Sequence, residues 1–498
     1  MTFIYFAQPL KGPSQRFAGI VMTKNQMLKF VDVERDMPAK RDAGLRNKDF
    51  HEIYAEFADA KAQEQASRCS QCGVPYCQSH CPLHNNIPDW LRLTAEGRLQ
   101  EAYEISQATN TFPEICGRIC PQDRLCEGNC VIEQSGHGTV TIGAVEKYIT
   151  DTAWEKGWVK PIVPAQEYDQ SVGIIGAGPG GLAAADHLRR QGVQVTVYDR
   201  YDRAGGLLTY GIPSFKLEKP VVMQRIEQLE QAGVEFVLNT TVGEDISFDA
   251  IRGKHDAVLI ATGVYKTRDL QAPGSGAEGL VNAIDYLTAS NKVSFGDDVP
   301  EFESGELNAA GKRVVVIGGG DTAMDCVRTA VRQGATSVKC LYRRDRANMP
   351  GSQREVKNAE EEGVEFVWLS APKGFTGDPV DGVMIQKMRL GAPDATGRQS
   401  PELIEGEDYI EKADLVIKAL GFEPEDLPKL WNEEALTVTR WGTIRADFRT
   451  HATELPGVYA VGDIVRGASL VVWAIRDGCE AADSILNFLA QPAQVAAE

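Results

Sequence analysis

Residues 171–199 read SVGIIGAGPGGLAAADHLRRQGVQVTVYD, and this stretch decides the fold. Its short apolar start predicts a strand that is buried on both faces. The strand leads into G-x-G-x-x-G, formed by Gly176, Gly178 and Gly181, which brings the backbone close to a pyrophosphate at the start of a helix. A second strand ends in Asp199, where a carboxylate can accept hydrogen bonds from a ribose. The stretch therefore predicts a dinucleotide-binding unit.

A second copy of the same plan occupies residues 313–344, which read RVVVIGGGDTAMDCVRTAVRQGATSVKCLYRR. The candidate nucleotide-binding residues at its turn are Gly318, Gly320, Asp321, Thr322 and Ala323. In place of an acid, its second strand ends in Arg343 and Arg344, two guanidinium groups that can hold a 2′-phosphate through forked hydrogen bonds. The pair indicates NADPH rather than NADH, and the alternative interpretation is a solvated strand end.

A chain with two such units resembles the two-domain flavoproteins of the disulfide-reductase type. This resemblance implies FAD on the first unit and the nicotinamide on the second. It also implies that Gly462 and Asp463, which follow an apolar strand near the C-terminus, contact the flavin. The C-terminal segment would then complete the first domain. Neither unit contains C-x-x-C, so a redox-active dithiol of the thioredoxin-reductase kind is disfavoured.

The chain of 498 residues is long enough for about three domains, and its formal net charge is −18. This charge argues against nucleic acid or an anionic membrane as a main partner. No apolar run approaches the roughly 20 residues of a membrane span. The N-terminus has neither a basic start nor a long apolar core, as a secretory signal would have. We therefore expect a cytoplasmic protein with no membrane and no nucleic-acid partner.

Eight of the eleven cysteines lie between residues 69 and 130. The first four are spaced C-x2-C-x4-C-x3-C and the other four C-x3-C-x5-C-x3-C. Disulfides are disfavoured because nothing in the chain suggests export. Zinc and iron–sulfur clusters both bind thiolates, but zinc beside a flavin and NADPH would leave the electrons no onward path. The pattern therefore favours iron–sulfur clusters.

Together these features resemble the small (beta) subunits of bacterial NADPH-dependent glutamate synthases. The resemblance covers nearly the whole chain after residue 26, and it is carried by CSQCGVPYCQSHCPLHNNIPDW from Cys69, CGRICPQDRLCEGNC from Cys116 and GGLLTYGIPSFKL from Gly205. The cysteine region is also similar to the N-terminal electron-input arm of dihydropyrimidine dehydrogenase. The resemblance implies FAD, NADPH and two 4Fe–4S clusters as cofactors, with Gly206 and Leu207 among the cofactor-binding residues.

The resemblance to dihydropyrimidine dehydrogenase also implies a division of the cluster ligands. One cluster would be held by Cys69, Cys72, Cys77 and Cys130. The other would be held by Cys81, Cys120, Cys126 and the carboxylate of Glu146. This division leaves Cys116 over, packed near a cluster. In the alternative division all eight cysteines are ligands, four to each cluster, and Glu146 is a solvated helix residue.

The predicted fold class is α/β, with a mainly α-helical iron–sulfur domain before two Rossmann-like dinucleotide-binding domains. The NADPH domain is expected as an insertion into the FAD domain, and the polar residues 290–311 as a crossing between the two. The predicted boundaries are 1–165 for the iron–sulfur domain with an N-terminal extension, 166–300 and 448–498 for the FAD-binding domain, and 301–447 for the NADPH-binding domain.

The glutamate synthase resemblance implies an electron-input role. The chain would oxidise NADPH by hydride transfer to FAD and pass single electrons through the clusters to a large (alpha) subunit carrying FMN, which makes glutamate from 2-oxoglutarate and glutamine. No catalytic acid, base or nucleophile is expected on this chain. Two alternatives stay open: a flavoprotein that feeds ferredoxin or a dihydropyrimidine dehydrogenase partner, and a non-enzymatic scaffold that binds zinc and nucleotides.

Overall fold

The structure is a computed structural model that describes residues 26–395, 397 and 399–491. The N-terminal extension predicted before Met27 therefore lies almost entirely outside the described residues. Within the described ranges, no helix is both long enough and apolar enough to cross a membrane. The chain forms a helical domain, two parallel-sheet units and a smaller antiparallel sheet, which confirms the predicted α/β fold class.

Short helices build the N-terminal domain, and the eight clustered cysteines lie within them or in the loops between them. The helices are α1 (Ala43–Arg46), α2 (Asp59–Ala66), α3 (Tyr76–Ser79), α4 (Ile87–Ala95), α5 (Leu99–Gln107), α6 (Pro113–Ile119), α7 (Val131–Gln134) and α8 (Ile142–Glu155). Apolar residues recur at helical spacing in α4, so one face of this helix packs inward. That face buries Trp90 and Leu91 in a core that also contains Val145 and Ile149 of α8.

The first nucleotide unit alternates strands and helices, as a doubly wound parallel sheet requires. Its elements are β1 (Ser171–Ile175), α9 (Pro179–Arg190), β2 (Gln194–Tyr198), α10 (Leu207–Tyr210), α11 (Lys219–Gln231), β3 (Glu235–Val237), α12 (Phe248–Lys254) and β4 (Ala257–Ile260). The strands lie in the order β4-β1-β2-β3 and are parallel. The last four residues of β1 are all buried, which is the pattern of a strand covered on both faces.

The second unit repeats this arrangement and adds an antiparallel sheet. After β5 (Lys266–Thr267), its elements are β6 (Leu280–Asn282), α13 (Ala283–Ser294), α14 (Pro300–Glu303), β7 (Arg313–Ile317), α15 (Asp321–Arg332), β8 (Ser337–Tyr342), α16 (Gln353–Glu361), β9 (Glu365–Trp368), β10 (Ser370–Gly377), β11 (Val380–Pro393), β12 (Gln399–Leu403), β13 (Tyr409–Lys412) and β14 (Leu415–Lys418). Its parallel sheet has the order β6-β14-β7-β8-β9. Strands β10 to β13 form the antiparallel sheet.

The chain then returns to the first unit. The returning elements are β15 (Phe422–Glu423), α17 (Leu427–Leu430), β16 (Val458–Ala460), α18 (Asp463–Arg466) and α19 (Val471–Leu489). Strand β15 pairs with β5, so the outgoing and returning segments lie side by side, and β16 adds a fifth strand beside β4. Helix α19 packs along α9 where Gly478 meets the carbonyl oxygen of Gly180, an approach that a Cβ on Gly478 would block.

The β5–β15 pair divides the two units, and this division differs from the predicted boundaries at residues 300 and 448. Strand β6 belongs to the second parallel sheet, and α13 packs in its core. Leu427 and Ile444 instead pack with Ile175 of the first unit. The polar residues 290–311 form the end of α13, then α14 and turns of the second unit. Their polarity reflects a solvated surface and not a crossing between domains.

Candidate functional site

The glycine turn between β1 and α9 has a different requirement at each of its three predicted positions. Gly176 has a φ of 109°, and a Cβ there would collide with the carbonyl oxygen of Ala261. A Cβ on Gly181 would collide with the carbonyl oxygen of Gly176. A Cβ on Gly178 would meet no atom within 4 Å, because this residue borders an open cleft. Gly176 and Gly181 are therefore needed for close packing, and Gly178 leaves room for a ligand.

Asp199 directly follows β2 and lines the same cleft. Its carboxylate accepts hydrogen bonds from the backbone amides of Ala177 at 2.7 Å and Tyr201 at 2.9 Å. Burial raises the pKa of Asp199, and the two amides act in the opposite direction. The carboxylate therefore orders the glycine turn and still has lone pairs that can accept from a ribose hydroxyl.

Two more glycines with left-handed backbone shape the cleft. Gly206 has a φ of 53°, and a Cβ there would come within 2.9 Å of the Cα of Gly178, while the next residue, Leu207, lines the cleft. Gly462 has a φ of 72° and lines the cleft together with Asp463. The fold therefore brings these four predicted residues to the cleft at the first glycine turn.

The carboxylate of Asp463 is held inside the C-terminal segment. It accepts hydrogen bonds from the backbone amide of Ser469 at 3.1 Å and from the hydroxyl of Ser469 at 2.7 Å. Burial raises the pKa of Asp463. These two hydrogen bonds hold the loop between α18 and α19 against Asp463 in the cleft, just before α19 begins.

Four further residues that line the cleft are absent from the predicted set: Arg200, Thr262, Tyr265 and Glu425. Arg200 forms a two-pronged salt bridge with Glu425, with both N–O distances at 2.9 Å, and its guanidinium lies 4.9 Å from the ring centroid of Tyr265. No local pattern could reveal a pair that is 225 residues apart. The hydroxyl of Thr262 is buried and has no hydrogen-bond partner among the described residues. An orphaned hydroxyl in an open cleft fits a polar ligand such as FAD.

The second glycine turn, between β7 and α15, repeats this geometry with one change. Gly318 has a φ of 152°, and a Cβ there would collide with the carbonyl oxygen of Ala419. A Cβ on Gly320 would meet no atom within 4 Å. The third position is Ala323, whose methyl group is fully buried. The second turn thus accepts one methyl group more than the first.

Asp321 and Thr322 form the first turn of α15 and are half-buried. The carboxylate of Asp321 accepts a hydrogen bond from the backbone amide of Ser352 at 2.9 Å. The backbone amide of Gly351 donates to the carbonyl oxygen of Gly319 at 2.9 Å. The segment before α16 is therefore fastened to the glycine turn.

Arg343 and Arg344 follow β8 beside this turn, since the ring of the preceding Tyr342 lies against Gly319. Within the described part of the chain, neither guanidinium forms a salt bridge, and Nε of Arg344 is buried without a hydrogen-bond partner. Uncommitted guanidinium groups at this edge fit a 2′-phosphate.

The two charged residues that follow the arginine pair, Asp345 and Arg346, already have partners of their own. Arg346 pairs with Glu360 at 2.6 Å. The carboxylate of Asp345 accepts hydrogen bonds from the backbone and side-chain amides of Asn348 at 3.0 Å and 2.7 Å. Asp345 is therefore engaged in its own loop.

The first predicted set of cluster ligands is brought together by the fold. Cys69, Cys77 and Cys130 are buried, Cys72 is half-buried, and none of the eleven cysteines forms a disulfide. Burial raises the pKa of Cys69 to about 11 and that of Cys77 to about 12, and the charges of Cys130 and Cys72 contribute to both. Such mutual effects require neighbouring sulfur atoms. Four neighbouring cysteine sulfurs, three of them on buried residues, fit an iron–sulfur cluster.

The second set shares one buried chamber. Its walls include Cys81, Cys116, Cys120, Cys126 and Glu146. Glu146 accepts hydrogen bonds from the side-chain amides of Asn85 at 3.2 Å and Asn110 at 3.4 Å, and burial raises its pKa to about 8. It is only 8% exposed and so is not a solvated helix residue. Both Glu146 and Cys116 border the chamber, and either predicted division is compatible with this arrangement.

The cleft at the first glycine turn (the flavin cleft) and the chamber lined by the second cysteine set (the cysteine chamber) meet at the start of α19. Leu470 and Val471 line the cleft, whereas the next residue, Val472, lines the chamber. The chamber also borders the first cysteine set, because Cys81 and Cys126 pack against the core that contains Cys69, Cys77 and Cys130. The fold therefore arranges the cleft, the chamber and the first cysteine set in sequence.

Two family models match the chain. Residues 46–158 match the model for dihydropyrimidine dehydrogenase domain II, 4Fe-4S cluster. Residues 170–478, which are more than half of the chain, match the model for pyridine nucleotide-disulphide oxidoreductase. These two ranges correspond to the helical domain and to the two parallel-sheet units.

Whole-chain relatives agree with this division. The chain is 68% identical to the glutamate synthase (NADPH) small chain of Azospirillum brasilense, over 93% of this chain and 96% of that protein. It is 47% identical to the corresponding small chain of Escherichia coli K12, over 94% of this chain and 100% of that protein. The structure of Mycobacterium tuberculosis FprA in complex with NADPH has a TM-score of 0.55 at 21% identity, covering 65% of this chain and 85% of FprA, which is a likeness of fold alone. The predicted resemblance is confirmed, and the chain belongs to the family of glutamate synthase (NADPH) small chains.

Proposed function

We propose that this chain is the cytoplasmic electron-input subunit of a glutamate synthase. When bound, FAD would accept a hydride from NADPH, and two 4Fe–4S clusters would carry single electrons to FMN on a large (alpha) subunit that makes glutamate from 2-oxoglutarate and glutamine. The observation that carries the proposal is the shared wall at Leu470–Val472. Consecutive residues of one segment face the flavin cleft on one side and the cysteine chamber on the other.

The first unit would hold FAD. The open backbone at Gly178 and the first amides of α9 suit the pyrophosphate. Asp199 suits a ribose hydroxyl, and the segment at Gly206–Leu207 and the pair Gly462–Asp463 suit the remaining parts of the flavin. The chain contributes binding and orientation here, and no proton transfer by a side chain is needed.

The second unit would hold NADPH. Its glycine turn and the first turn of α15, with Asp321, Thr322 and Ala323, suit the diphosphate. The free guanidinium groups of Arg343 and Arg344 suit the 2′-phosphate that distinguishes NADPH from NADH. Preference for NADPH therefore rests on these two side chains.

Two clusters are proposed because the thiols form two separate sets. One set consists of Cys69, Cys72, Cys77 and Cys130. The other consists of Cys81, Cys120 and Cys126 with Glu146 as the fourth ligand, and Cys116 as the alternative fourth ligand.

Anaerobic purification followed by quantitation of flavin, iron and acid-labile sulfide tests the proposal. We expect one FAD and two 4Fe–4S clusters for each chain, and NADPH should bleach the visible spectrum. A colourless protein that contains zinc and no flavin would instead identify a nucleotide-binding scaffold.

The electron acceptor needs a second experiment, because the flavin and the clusters would look alike for several partners. We expect a large subunit to co-purify and NADPH consumption to depend on 2-oxoglutarate and glutamine. Co-purification with a pyrimidine-reducing partner, or rapid reduction of ferredoxin in place of glutamate formation, would overturn the assignment of the partner.

A further inference from the structure

A second helix begins beside the NADPH glycine turn. Helix α16 starts at Gln353, with Ser352 at its N-cap position. The two hydrogen bonds that join Gly351 to Gly319 and Ser352 to Asp321 place this helix start directly against the turn. The first turns of α15 and α16 therefore lie at the same edge of the second unit.

The start of α16 carries polar groups without partners. Ser352 is 5% exposed, and its hydroxyl has no hydrogen-bond partner among the described residues. Although serine is a favoured N-cap residue, this hydroxyl does not cap the helix. The backbone amides of Gln353, Arg354 and Glu355 also have no acceptor within the described ranges. Gln353 is exposed and Arg354 half-buried, so water can reach this helix end, whereas the Ser352 hydroxyl is buried. A buried hydroxyl normally has a partner, so the free hydroxyl of Ser352 indicates an absent ligand.

The chemistry of these groups selects an anionic oxygen ligand. Free N-terminal amides and the helix dipole favour negative charge, and a hydroxyl can donate to the same atom. Arg354, in the first turn, forms no salt bridge among the described residues; its Nη2 donates to the side chain of Gln122 at 2.7 Å. The carboxylate of Asp321 accepts a hydrogen bond from the backbone amide of Ser352, and the hydroxyl of Ser352 stays free to donate to a ligand.

We propose that Ser352 and the first amides of α16 bind a phosphoryl oxygen of the pyridine nucleotide's diphosphate, in addition to the first turn of α15. The proposal rests on the proposed function, since it requires the nucleotide on the second glycine turn. It assigns a role separate from that of Arg343 and Arg344, which would bind the 2′-phosphate. The diphosphate is common to NADPH and NADH, whereas the 2′-phosphate is not.

The two roles are separated by measuring three ligands on the anaerobic holoprotein. NADP⁺ contains both groups, NAD⁺ contains only the diphosphate, and adenosine 2′-monophosphate contains only the 2′-phosphate. We expect Ser352→Ala to weaken NADP⁺ and NAD⁺ each by about tenfold, the worth of one hydrogen bond to a charged group, and to leave adenosine 2′-monophosphate unchanged. The double variant R343A/R344A should weaken the binding of NADP⁺ and adenosine 2′-monophosphate and leave the binding of NAD⁺ unchanged.

Two further variants separate ligand binding from packing. Ser352→Gly also removes the hydroxyl but is well tolerated at an N-cap, so it should reproduce the pattern of Ser352→Ala even if that variant folds poorly. Thr329→Val is the matched control, because the hydroxyl of Thr329 is likewise buried without a described partner, but it lies in the second half of α15. It should leave all three affinities unchanged.

The inference is overturned if both Ser352 variants bind all three ligands as the wild type does, or if they weaken adenosine 2′-monophosphate by the same factor as NADP⁺. An equal loss in Thr329→Val would assign the effect to packing. A wild-type holoprotein that binds neither NADP⁺ nor NAD⁺ would instead overturn the proposed function, which is a different result.

Discussion

The two nucleotide units have the same plan and differ in three places. The third position of the glycine turn is Gly181 in the first unit and Ala323 in the second, because only in the first would a methyl group collide with the turn. The second strand is followed by a carboxylate that is bonded to its own turn in the first unit, and by two unpaired guanidinium groups in the second. Only the first unit receives α19, whose start borders the cysteine chamber.

This comparison teaches that the scaffold and the ligand preference are separate properties. Parallel strands, a glycine turn and a helix N-terminus are common to both units and suit any dinucleotide. Under the proposed function, the choice of ligand would depend on a few side chains at the carboxyl edge of each sheet, and the route for electrons on which element packs there. The following predictions test each difference in turn.

Gly181→Ala should have the largest effect. Its Cβ would collide with a backbone carbonyl oxygen, which cannot move without opening the turn, so we expect loss of bound flavin and a fall in stability of about 3 kcal/mol or more. Flavin content and thermal unfolding measure both. The matched change Ala323→Gly in the second unit should cost only about 1 kcal/mol and retain nucleotide binding. Normal flavin content in Gly181→Ala would show that this glycine is not needed for packing.

The double variant R343A/R344A should raise the KM for NADPH roughly 100-fold, because it removes charge-assisted hydrogen bonds to the 2′-phosphate. The KM for NADH should change by no more than about twofold. Steady-state kinetics with a small artificial acceptor measures both values. Arg346→Ala is the control, since Arg346 is already paired with Glu360 and should not affect either nucleotide. An equal loss for the two nucleotides would contradict the assigned role of the arginine pair.

Glu146→Ala should lower the iron content of the anaerobic protein by about half, because it removes the proposed fourth ligand of one of two clusters. Cys116→Ser, which changes the competing residue in the same chamber, should retain the iron. Iron and sulfide analysis together with low-temperature electron paramagnetic resonance measures the outcome. The reverse result, with iron lost only in Cys116→Ser, would mean that all eight clustered cysteines are ligands.

Arg200→Ala should have the smallest effect, a loss of flavin affinity of about fivefold. Its salt bridge to Glu425 is about one-third exposed, so solvent screens it to about 1 kcal/mol. Arg252→Ala is the control, because Arg252 pairs with Glu433 at similar exposure but does not line the cleft. Flavin release during dialysis compares the two variants. Equal release from both would show that Arg200 acts only through general stability.

Much of the candidate site could be predicted because its signals are local in the chain. The turn at Gly176 requires glycines at fixed spacing. The apolar runs of β1 and β7 predict the buried strands that lead into the two glycine turns. The division of the cysteines into two sets is implied by the resemblance to dihydropyrimidine dehydrogenase, and the fold brings the members of each set close together. The polar stretch 290–311 was misleading because polarity reports exposure to solvent, and an exposed helix inside a domain is as polar as a linker.

The sequence by itself determined the two nucleotide-binding units and the two groups of cysteines, and it predicted that one strand end binds a ribose and the other a 2′-phosphate. These properties depend on residues within a few positions of one another, where periodicity and turn chemistry are direct. Only the tertiary structure decided that β6 joins the second sheet, that Arg200 meets Glu425, that Ser352 lies on the glycine turn, and that Val472 borders the cysteine chamber. Such contacts join distant parts of the chain, and they exist only because buried surfaces must pack together in one particular arrangement.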